Sequence, residues 1–246
     1  MKINIVTLFP KMVETFLDTA IIRKAKEKGF LEINIYDLRD YADNSYRSVD
    51  DYPYGGGPGM VIEPTPIFNF FKSLYKNEAS NNFVVSPSPQ GRLLSHNLAK
   101  ELSQKEEITL LCGHYEGIDE RAIDRFVDCE ISIGDFVLSG GELPSLVILD
   151  SILRLVDGVI SKNSADEDSF GDGLLDSPCY TRPREIDDLK VPEELLNGNH
   201  KEIALWRREE RLTRTLIRRP DLLKNCSEED KNILKERVSA LLDILT

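Results

Sequence analysis

The chain has 246 residues, enough for one large or two smaller domains, and its 41% hydrophobic and 30% charged residues are typical of a globular protein. The sequence contains no run of about 18 apolar residues, so it predicts no membrane span. The opening MKINIVTLFP lacks the apolar core of a secretion signal. The net charge of −12 argues against nonspecific binding of nucleic acid by the chain as a whole.

The four cysteines and three histidines are scattered along the chain. They show neither the paired spacing of a zinc site nor the pattern of a disulfide framework, so we expect no metal ligands among the side chains. Together with the absence of a signal or membrane segment, this predicts a cytoplasmic protein that binds no membrane.

Strand-like and helix-like segments alternate through the first 160 residues. Strands are predicted at 3–9, 31–38, 83–86, 108–112 and 126–133, and helices at 11–28, 64–76, 95–104, 118–125 and 142–156. Residues 40–63 read as a long polar loop that is rich in glycine. This alternation favours an α/β fold with a mostly parallel sheet and helices on both faces.

The character of the sequence changes after residue 160. Residues 161–177 are acidic and small, which predicts a flexible linker. Beyond Pro192 the pattern is helical, with a turn at 193–197 and helices at 200–217 and 228–244, the last with Ser227 as N-cap and Asp230 three residues later. We therefore predict an α/β domain over 1–160, a linker over 161–177 and a small all-helical domain over 178–246.

Four glycine-containing loops follow predicted strands: YGGGPGM (54–60), SPSPQG (86–91), CGHYEG (112–117) and IGDFVLSGG (133–141). Ligands of open parallel sheets bind outside the carboxyl ends of the strands, so these loops predict a cofactor site. Taken singly, each loop is also compatible with an ordinary turn, because isolated glycine motifs are weak signals.

The kind of ligand is limited by what these loops lack. No GxGxxG follows the first strand, where LFPKMVE stands, and there is no GxxxxGK[ST]. The loops and their flanks hold Glu116, Asp119, Asp135 and Glu142, which would repel a phosphate-rich ligand. A neutral or cationic ligand held by backbone groups suits them better, and S-adenosylmethionine, which carries a sulfonium cation and no phosphate, meets that description.

Five segments carry a resemblance to a known family: SPSPQGRLLS, CGHYEGIDER, IGDFVLSGGELP, EDSFGDGLLDSPCYTRP and VPEELLNGNHKEIALWR. In this order they resemble the bacterial tRNA (guanine-N1)-methyltransferases, which methylate the guanosine immediately 3′ of the anticodon. The resemblance extends from the N-terminus to about Leu223. It implies a trefoil-knotted (SPOUT) methyltransferase, a knot that general topology rules would not predict. It also implies a homodimer with the active site between the subunits.

The resemblance further implies how S-adenosylmethionine is bound. The stretch IGDFVL wraps the adenine, Gly140 and Gly141 allow close chain packing, and Gly113 and Glu116 lie beside the ribose and methionine parts. The implied cofactor-binding residues are Ser88, Pro89, Gly113, Glu116, Ile133, Gly134, Asp135, Phe136, Val137, Leu138, Gly140, Gly141 and Pro144. Two features depart from the family pattern: Ser86 and Pro87 stand where an aromatic residue and a leucine are usual, and Phe136 stands where tyrosine is common.

Methylation at guanine N1 requires a base to remove the N1 proton and positive charge near O6. The resemblance assigns these roles to Asp168 of the EDSF motif and to Arg154 near the end of the helix that follows the cofactor loop. Without the motif, Asp168 would read as a solvated linker carboxylate and Arg154 as an exposed helix arginine.

The tRNA-binding residues implied by the resemblance are Gly59, Tyr115, Ser169, Asp176, Arg182, Arg207 and Arg208. Plain structural roles compete with these assignments: a turn at Gly59, a packing tyrosine at 115, and capping by Ser169 and Asp176. The arginines of WRREERLTRTLIRR (206–219) could grip phosphates, or form a charged helix face that pairs in part with Glu209 and Glu210.

Relatives of this kind use magnesium, and with no metal-ligand cluster in the sequence any Mg²⁺ would bind through waters and the substrate or cofactor. Two other functions compete with the anticodon-side enzyme. One is a catalytically silent RNA-binding protein on the same scaffold, and the other is a knotted methyltransferase that acts on rRNA or another tRNA position.

Overall fold

A computed structural model of the chain describes residues 1–75, 81–159 and 168–245. The chain divides into two compact units, Met1–Ser161 and Lys162–Thr246, which we call the N-terminal and C-terminal units. This division lies next to the boundary expected from the sequence. Within the described ranges, none of the helices combines the length and the apolar character needed to cross a membrane.

The N-terminal unit is built on a five-stranded sheet in which every neighbouring pair of strands is parallel, as the sequence predicts. The strands of this sheet are β1 (Lys2–Thr7), β2 (Glu32–Asp37), β5 (Asn82–Leu93), β6 (Glu107–Leu111) and β7 (Cys129–Ser132). Two further strands, β3 (Asp50–Asp51) and β4 (Val61–Ile62), form a separate antiparallel pair. The order in the sheet is β2-β1-β6-β5-β7.

Helices cover both faces of this sheet, which confirms the predicted layering. They are α1 (Pro10–Leu17), α2 (Ala20–Glu27), α3 (Pro64–Leu74), α4 (His96–Ser103), α5 (Glu120–Phe126) and α6 (Glu142–Leu153). Helices α1, α2, α4 and α6 share one buried cluster with Ile5 and Leu110, whereas α3 and α5 share another with Val6 and Leu111. Adjacent residues of one strand enter opposite clusters because side chains alternate across a strand.

The single helix predicted at 11–28 is wrong: the structure has two helices there. Helix α1 ends at Leu17, and Thr19 is extended before α2 begins. Val13 and Leu17 are buried from α1, and Ile22 and Ala25 from α2. In one continuous helix, the buried position after 17 would be 21, four residues on. The structure buries position 22 instead, so the buried faces of α1 and α2 are shifted by one residue.

The strand predicted at 83–86 is longer in the structure, since β5 extends through the segment expected to be a loop. Pro87 and Arg92 both face Ile131 of β7, so the register shifts and residues 88–91 form a bulge between them. The strand predicted at 126–133 is shorter, because Phe126 ends α5 and packs against Phe68 and Phe71.

The C-terminal unit contains two long helices, α7 (His200–Arg218) and α8 (Glu228–Leu245), with short 3-10 turns at Glu193–Leu195 and Pro220–Asn225. It is not all-helical as predicted, because β8 (Glu185–Ile186) and β9 (Leu189–Lys190) form an antiparallel hairpin. The turn between these strands places Asp187 and Asp188 in the left-handed region, which aspartate tolerates better than most residues. The predicted cap is present: Ser227 Oγ accepts from the Asp230 N–H at 3.1 Å.

Part of the predicted linker is an ordered segment of this unit. Leu174 is buried, and the Leu175 N–H donates to Thr215 Oγ1 of α7 at 2.9 Å. Asp172 accepts hydrogen bonds from Arg208 and Arg211, also on α7. The remainder of the predicted linker, residues 161–167, lies outside the described residues.

Candidate active site

A pocket of about 430 Å³ opens at the carboxyl end of the parallel sheet. Three of the four glycine-containing loops form it: the bulge of β5, the loop after β6, and the loop that joins β7 to α6. Its volume lies within the range of about 300–1,000 Å³ that is usual for small-molecule sites. Both the edge of the sheet and the loops that meet there are therefore predictable from the sequence.

The predicted cofactor-binding residues converge on this pocket, with one exception. Those that line it are Ser88, Pro89, Gly113, Glu116, Ile133, Gly134, Phe136, Val137, Leu138, Gly140, Gly141 and Pro144, joined by Tyr115 from the predicted substrate set. Asp135 is the exception: its neighbours Gly134 and Phe136 line the pocket, but Asp135 does not. The Phe136 N–H donates to the Gly134 carbonyl at 2.9 Å, which closes a tight turn around Asp135.

Close contact between two backbones fixes the floor of the pocket. The Gly141 N–H donates to the Gly113 carbonyl at 2.7 Å. A Cβ at Gly141 would lie 2.7 Å from the Gly113 nitrogen and 2.8 Å from the Cys112 Cα. Because these are backbone atoms that cannot swing away, only glycine fits at this position.

Gly140 makes room for the side chain of His114. A Cβ at Gly140 would lie 2.5 Å from His114 Cδ2, and the two residues form an antiparallel bridge. The His114 ring packs against Phe9 and Tyr115 at centroid distances of 4.9 and 5.0 Å. His114 lines the pocket, although the sequence argument quoted it only as part of CGHYEG. Its position between Gly113 and Tyr115, two predicted site residues, is the sequence signal that could have identified it.

Two buried polar side chains support the start of α6. Glu142 is 2% exposed and accepts from Thr7 Oγ1 at 2.7 Å. Cys112 lies 3.2 Å from Ser145 Oγ, and its pKa is raised mainly by burial and then by the charge of Glu142. Cys112 is therefore a neutral thiol within the structural support of the pocket and not a nucleophile.

The charge of the pocket is negative. Its lining includes the carboxylates of Glu116, Glu120 and Glu130, and no lysine or arginine stands among the described residues that line it. Glu120 and Glu130 were missed from the sequence because neither lies in a glycine loop. Their positions at the start of α5 and on β7 place them at the same end of the sheet as the loops.

The fourth loop, 54–60, lies against the wall of the pocket without lining it. The Glu116 N–H donates to the Met60 carbonyl at 2.9 Å, and the Ile62 N–H donates to the Gly117 carbonyl at 2.9 Å. Gly59 packs so closely on the Glu116 side chain that a Cβ would collide with it. Gly59 therefore lets the loop lie close against Glu116, and it has the left-handed φ of +86° that glycine adopts readily.

The two predicted catalytic residues belong to different units. Arg154 caps the C-terminus of α6, where its N–H donates to the Asp150 carbonyl at 3.2 Å, and it is exposed. Asp168 is partly buried in the C-terminal unit, and its carbonyl accepts from the Gly171 N–H at 3.1 Å.

Ser169 and Asp176 meet in the C-terminal unit. Ser169 Oγ accepts from the Asp176 N–H at 3.0 Å, and Asp176 Oδ1 accepts from the Ser177 N–H at 2.6 Å. These are turn-capping contacts, so the structural role considered for both residues is present.

Several predicted phosphate-binding arginines are already engaged. Arg208 binds Asp230 at 2.6 Å and Asp172 at 2.8 Å, Arg211 binds Asp172 at 2.6 Å, and Arg219 binds Asp221 at 2.7 Å. Arg208 would have to leave two carboxylates to bind a phosphate, which argues against the predicted role.

The other arginines of this stretch have a different environment. Arg207 and Arg218 are exposed and Arg214 is half-buried, and none of them forms an ion pair with a described residue. Glu209 and Glu210 pair with Arg237 of α8 and not with their neighbours on α7. Arg182 is exposed ahead of the β8–β9 hairpin.

No group of three or more His, Cys, Asp or Glu side chains suited to hold a metal ion occurs in residues 1–75, 81–159 and 168–245. The carboxylates of the pocket do not form such a group.

Comparison with known proteins adds independent information. The family model described as tRNA (Guanine-1)-methyltransferase TrmD matches residues 1–225. A tRNA (guanine-N(1)-)-methyltransferase of Thermosipho melanesiensis is 52% identical over 92% of this chain and 91% of its own length. Proteins of the same name from Thermotoga petrophila and Clostridioides difficile are 49% and 51% identical, and cover 99% and 93% of this chain and 99% and 100% of their own lengths.

Proposed function

The chain belongs to the tRNA (guanine-1)-methyltransferase family, and we propose that it transfers the methyl group of S-adenosylmethionine to N1 of the guanosine immediately 3′ of the anticodon. Methylation of guanine N1 in tRNA is the activity of the family. The methyl donor, the tRNA position and the residues that act are our proposal, and tRNA as substrate is consistent with a place in the cytoplasm.

The observation that carries the choice of donor is the chemistry of the pocket. Its described lining combines backbone groups of glycine-rich loops with three carboxylates, one histidine, and no lysine or arginine. Such a site disfavours phosphate, because like charges repel in a partly enclosed pocket. It favours a ligand with a sulfonium and an ammonium group. When bound, S-adenosylmethionine supplies an electrophilic methyl group.

The residues that would hold this cofactor divide by position. Residues 133, 134 and 136–138 form the wall assigned to the adenine, where Phe136, which is 54% exposed, offers an aromatic ring. Gly113 and Glu116 lie on the loop after β6, where we place the ribose and methionine parts. The tight approach of Gly141 to Gly113 forms a cradle that a larger side chain would fill.

Asp168 and Arg154 are the proposed catalytic residues. A carboxylate at Asp168 would accept the N1 proton, and the guanidinium of Arg154 would stabilise the negative charge that develops at O6. Arg154 stands at the opposite end of α6 from the pocket, so in this role it would serve an active site that is shared with a second copy of the chain. A positioned base of this kind contributes about 10²–10⁴-fold to the rate.

We also propose the knotted topology of the family. The chain that leaves β7 returns to the carboxyl end of β6, where Gly140 bridges His114 and Gly141 bonds to Gly113. Glycines at both points let one segment pass in contact with another. This close passage supports a threaded chain around the cofactor site.

A homodimer with a shared active site is supported by the apolar surface beside the pocket. Val137 is 81%, Leu143 51% and Val147 45% exposed, although they lie within a short stretch that runs from the pocket loop into α6. Large apolar side chains grouped on a surface mark an interaction site. A second copy of the chain is the partner that the family suggests.

The tRNA is proposed to meet arginines of the C-terminal unit that are not engaged by carboxylates of the described residues. Arg207, Arg214 and Arg218 form no ion pair with described residues, so they are the better candidates for phosphate contacts than Arg208. This basic stretch would explain how a chain with a net charge of −12 binds RNA. A magnesium ion, if used, would bind through waters and the substrate or cofactor.

The proposal is tested with labelled S-adenosylmethionine and two tRNA transcripts that differ only in having guanosine or adenosine immediately 3′ of the anticodon. We expect label to enter the guanosine transcript alone, as N1-methylguanosine identified by mass spectrometry of the nucleosides. Equal labelling of both transcripts would place the reaction at another tRNA position. Ribosomal RNA is offered in a parallel reaction, and labelling of that RNA alone would overturn the choice of substrate.

A further inference from the structure

Three tyrosines on the long loop of the N-terminal unit are highly exposed to solvent and do not pack in the core. Tyr46 is 93%, Tyr52 79% and Tyr54 98% exposed. An aromatic ring that contributes nothing to the core is a candidate for contact with a partner. Tyr52 and Tyr54 flank Pro53, and Tyr54 directly precedes a run of glycines with positive φ.

The segment that follows Tyr54 is fixed to the pocket wall. The Glu116 N–H donates to Met60, the Ile62 N–H donates to Gly117, and the Asp119 N–H donates to Ile62, each at 2.9 to 3.0 Å. Glu116 and Gly117 line the pocket. Loop 54–60 is therefore carried by the same wall that would hold the cofactor.

The cation of Arg121 is held close to the pocket wall. Arg121 forms a two-pronged contact with Asp119, at 2.8 Å from Nε and 2.7 Å from the second nitrogen. The pKa of Arg121 is raised, first by this contact with Asp119. Arg121 is 66% exposed at its side chain, and the preceding residue, Glu120, lines the pocket.

We propose that Tyr54, together with Tyr52, forms a stacking platform for an unpaired base of the tRNA next to the target guanosine. This rests on the proposed function, because it names a subsite for the RNA substrate. An aromatic face stacks on any base, and an arginine held on the same wall can bind a phosphate. A nucleotide beside the pocket suits this surface because the target base must leave the stack of its neighbours to reach the cofactor.

The test compares Tyr54→Ala, Tyr54→Phe and Tyr46→Ala in the full-length enzyme. Tyr46 is the matched control, since it is equally exposed on a separate turn closed by Asn44 and Ser48. Two quantities are measured with the guanosine transcript: the KM for tRNA, and the quenching of 2-aminopurine placed beside the target guanosine. Calorimetry gives the affinity for S-adenosylmethionine.

Tyr54→Ala should raise the KM for tRNA about 10-fold and remove most of the quenching, as loss of one stacked base predicts. Tyr54→Phe keeps the ring and should stay within about twofold of the wild type. Cofactor affinity should be the same in all variants. An unchanged KM in Tyr54→Ala, an equal rise in Tyr46→Ala, or a Tyr54→Phe variant as weak as Tyr54→Ala would overturn the platform. Failure of the wild type to methylate guanosine would instead overturn the proposed function.

Discussion

The pocket of the N-terminal unit and the segment 168–176 of the C-terminal unit are held by different forces. Around the pocket, backbone meets backbone: Gly141 bonds to Gly113, and glycines stand where a side chain would collide. In the segment, charged side chains make the contacts, with Asp172 between Arg208 and Arg211. The pocket therefore depends on volume and the segment on ionisation.

This difference determines which changes each region should tolerate. A backbone contact cannot move aside, so one added methyl group is costly at the pocket, whereas a change of pH leaves the contact itself intact. An ion pair tolerates a change of shape better but depends on charge, and its strength changes with pH. Two predictions follow from the comparison.

The largest effect is expected for Gly141→Ala. Its new Cβ would lie 2.7 Å from the Gly113 nitrogen, a backbone atom that cannot rotate away. Forcing extra volume into a packed site costs about 1–3 kcal/mol, so the free energy of unfolding should fall by that amount. Affinity for S-adenosylmethionine should fall at least about 10-fold as the floor of the pocket shifts. Urea unfolding followed by circular dichroism and calorimetric titration measure the two effects.

Gly113→Ala is the matched control for stability. A Cβ there would meet Ile118 Cδ1 at 3.6 Å, an ordinary contact with the end of a side chain. Its free energy of unfolding should change by less than about 1 kcal/mol. If both alanine variants are equally stable, the close backbone contact at Gly141 does not limit which residue fits at the floor of the pocket.

A smaller and pH-dependent effect is expected for Asp172→Ala. Burial tends to raise the pKa of Asp172, but hydrogen bonds and charge from Arg211 and then Arg208 outweigh it and lower the pKa. A lowered folded-state pKa stabilises the fold above the ordinary aspartate value of about 3.9, and this is lost as pH falls toward the folded value. At pH 7 the variant should lose about 1–2 kcal/mol, less than for a fully buried pair because Asp172 is 38% exposed.

Trp206, the single tryptophan, stands on α7 and reports unfolding of this unit by fluorescence. The difference between wild type and Asp172→Ala should narrow as pH falls from about 5 to 3. Asp221→Ala is the control, because its ion pair with Arg219 is exposed and should matter little. A difference that stays constant over this pH range would contradict an ionic role for Asp172.

The sheet was predictable because its strands are short apolar runs between helical patterns. The element boundaries that were predicted wrongly depend on tertiary contacts. The break after Leu17 follows from which residues meet the core. Helix α5 ends one residue later than predicted, because Phe126 packs on Phe68 and Phe71. The β8–β9 hairpin was missed because each of its strands has only two residues.

The pocket was predictable as a group of loops and less so residue by residue. Glycines that follow strands identified Gly113, Gly140 and Gly141, because close approach needs residues without a Cβ. Glu120 and Glu130 carry no such mark in the sequence. The pairing of Arg208 with Asp172 and Asp230 was also not predictable, since these carboxylates lie 36 and 22 residues away in the chain.

The proposed mechanism depends on Asp168 as the base for methyl transfer to guanine N1. Its most direct test is the single-turnover rate of Asp168→Asn with saturating S-adenosylmethionine and the guanosine transcript. The control is Asp187→Asn, on an exposed turn of the same unit where asparagine is well tolerated. We predict that the rate falls at least about 100-fold in Asp168→Asn while both ligands bind as in the wild type, and that Asp187→Asn keeps the wild-type rate. A rate for Asp168→Asn within a few-fold of the wild type would contradict the claim and place the base elsewhere.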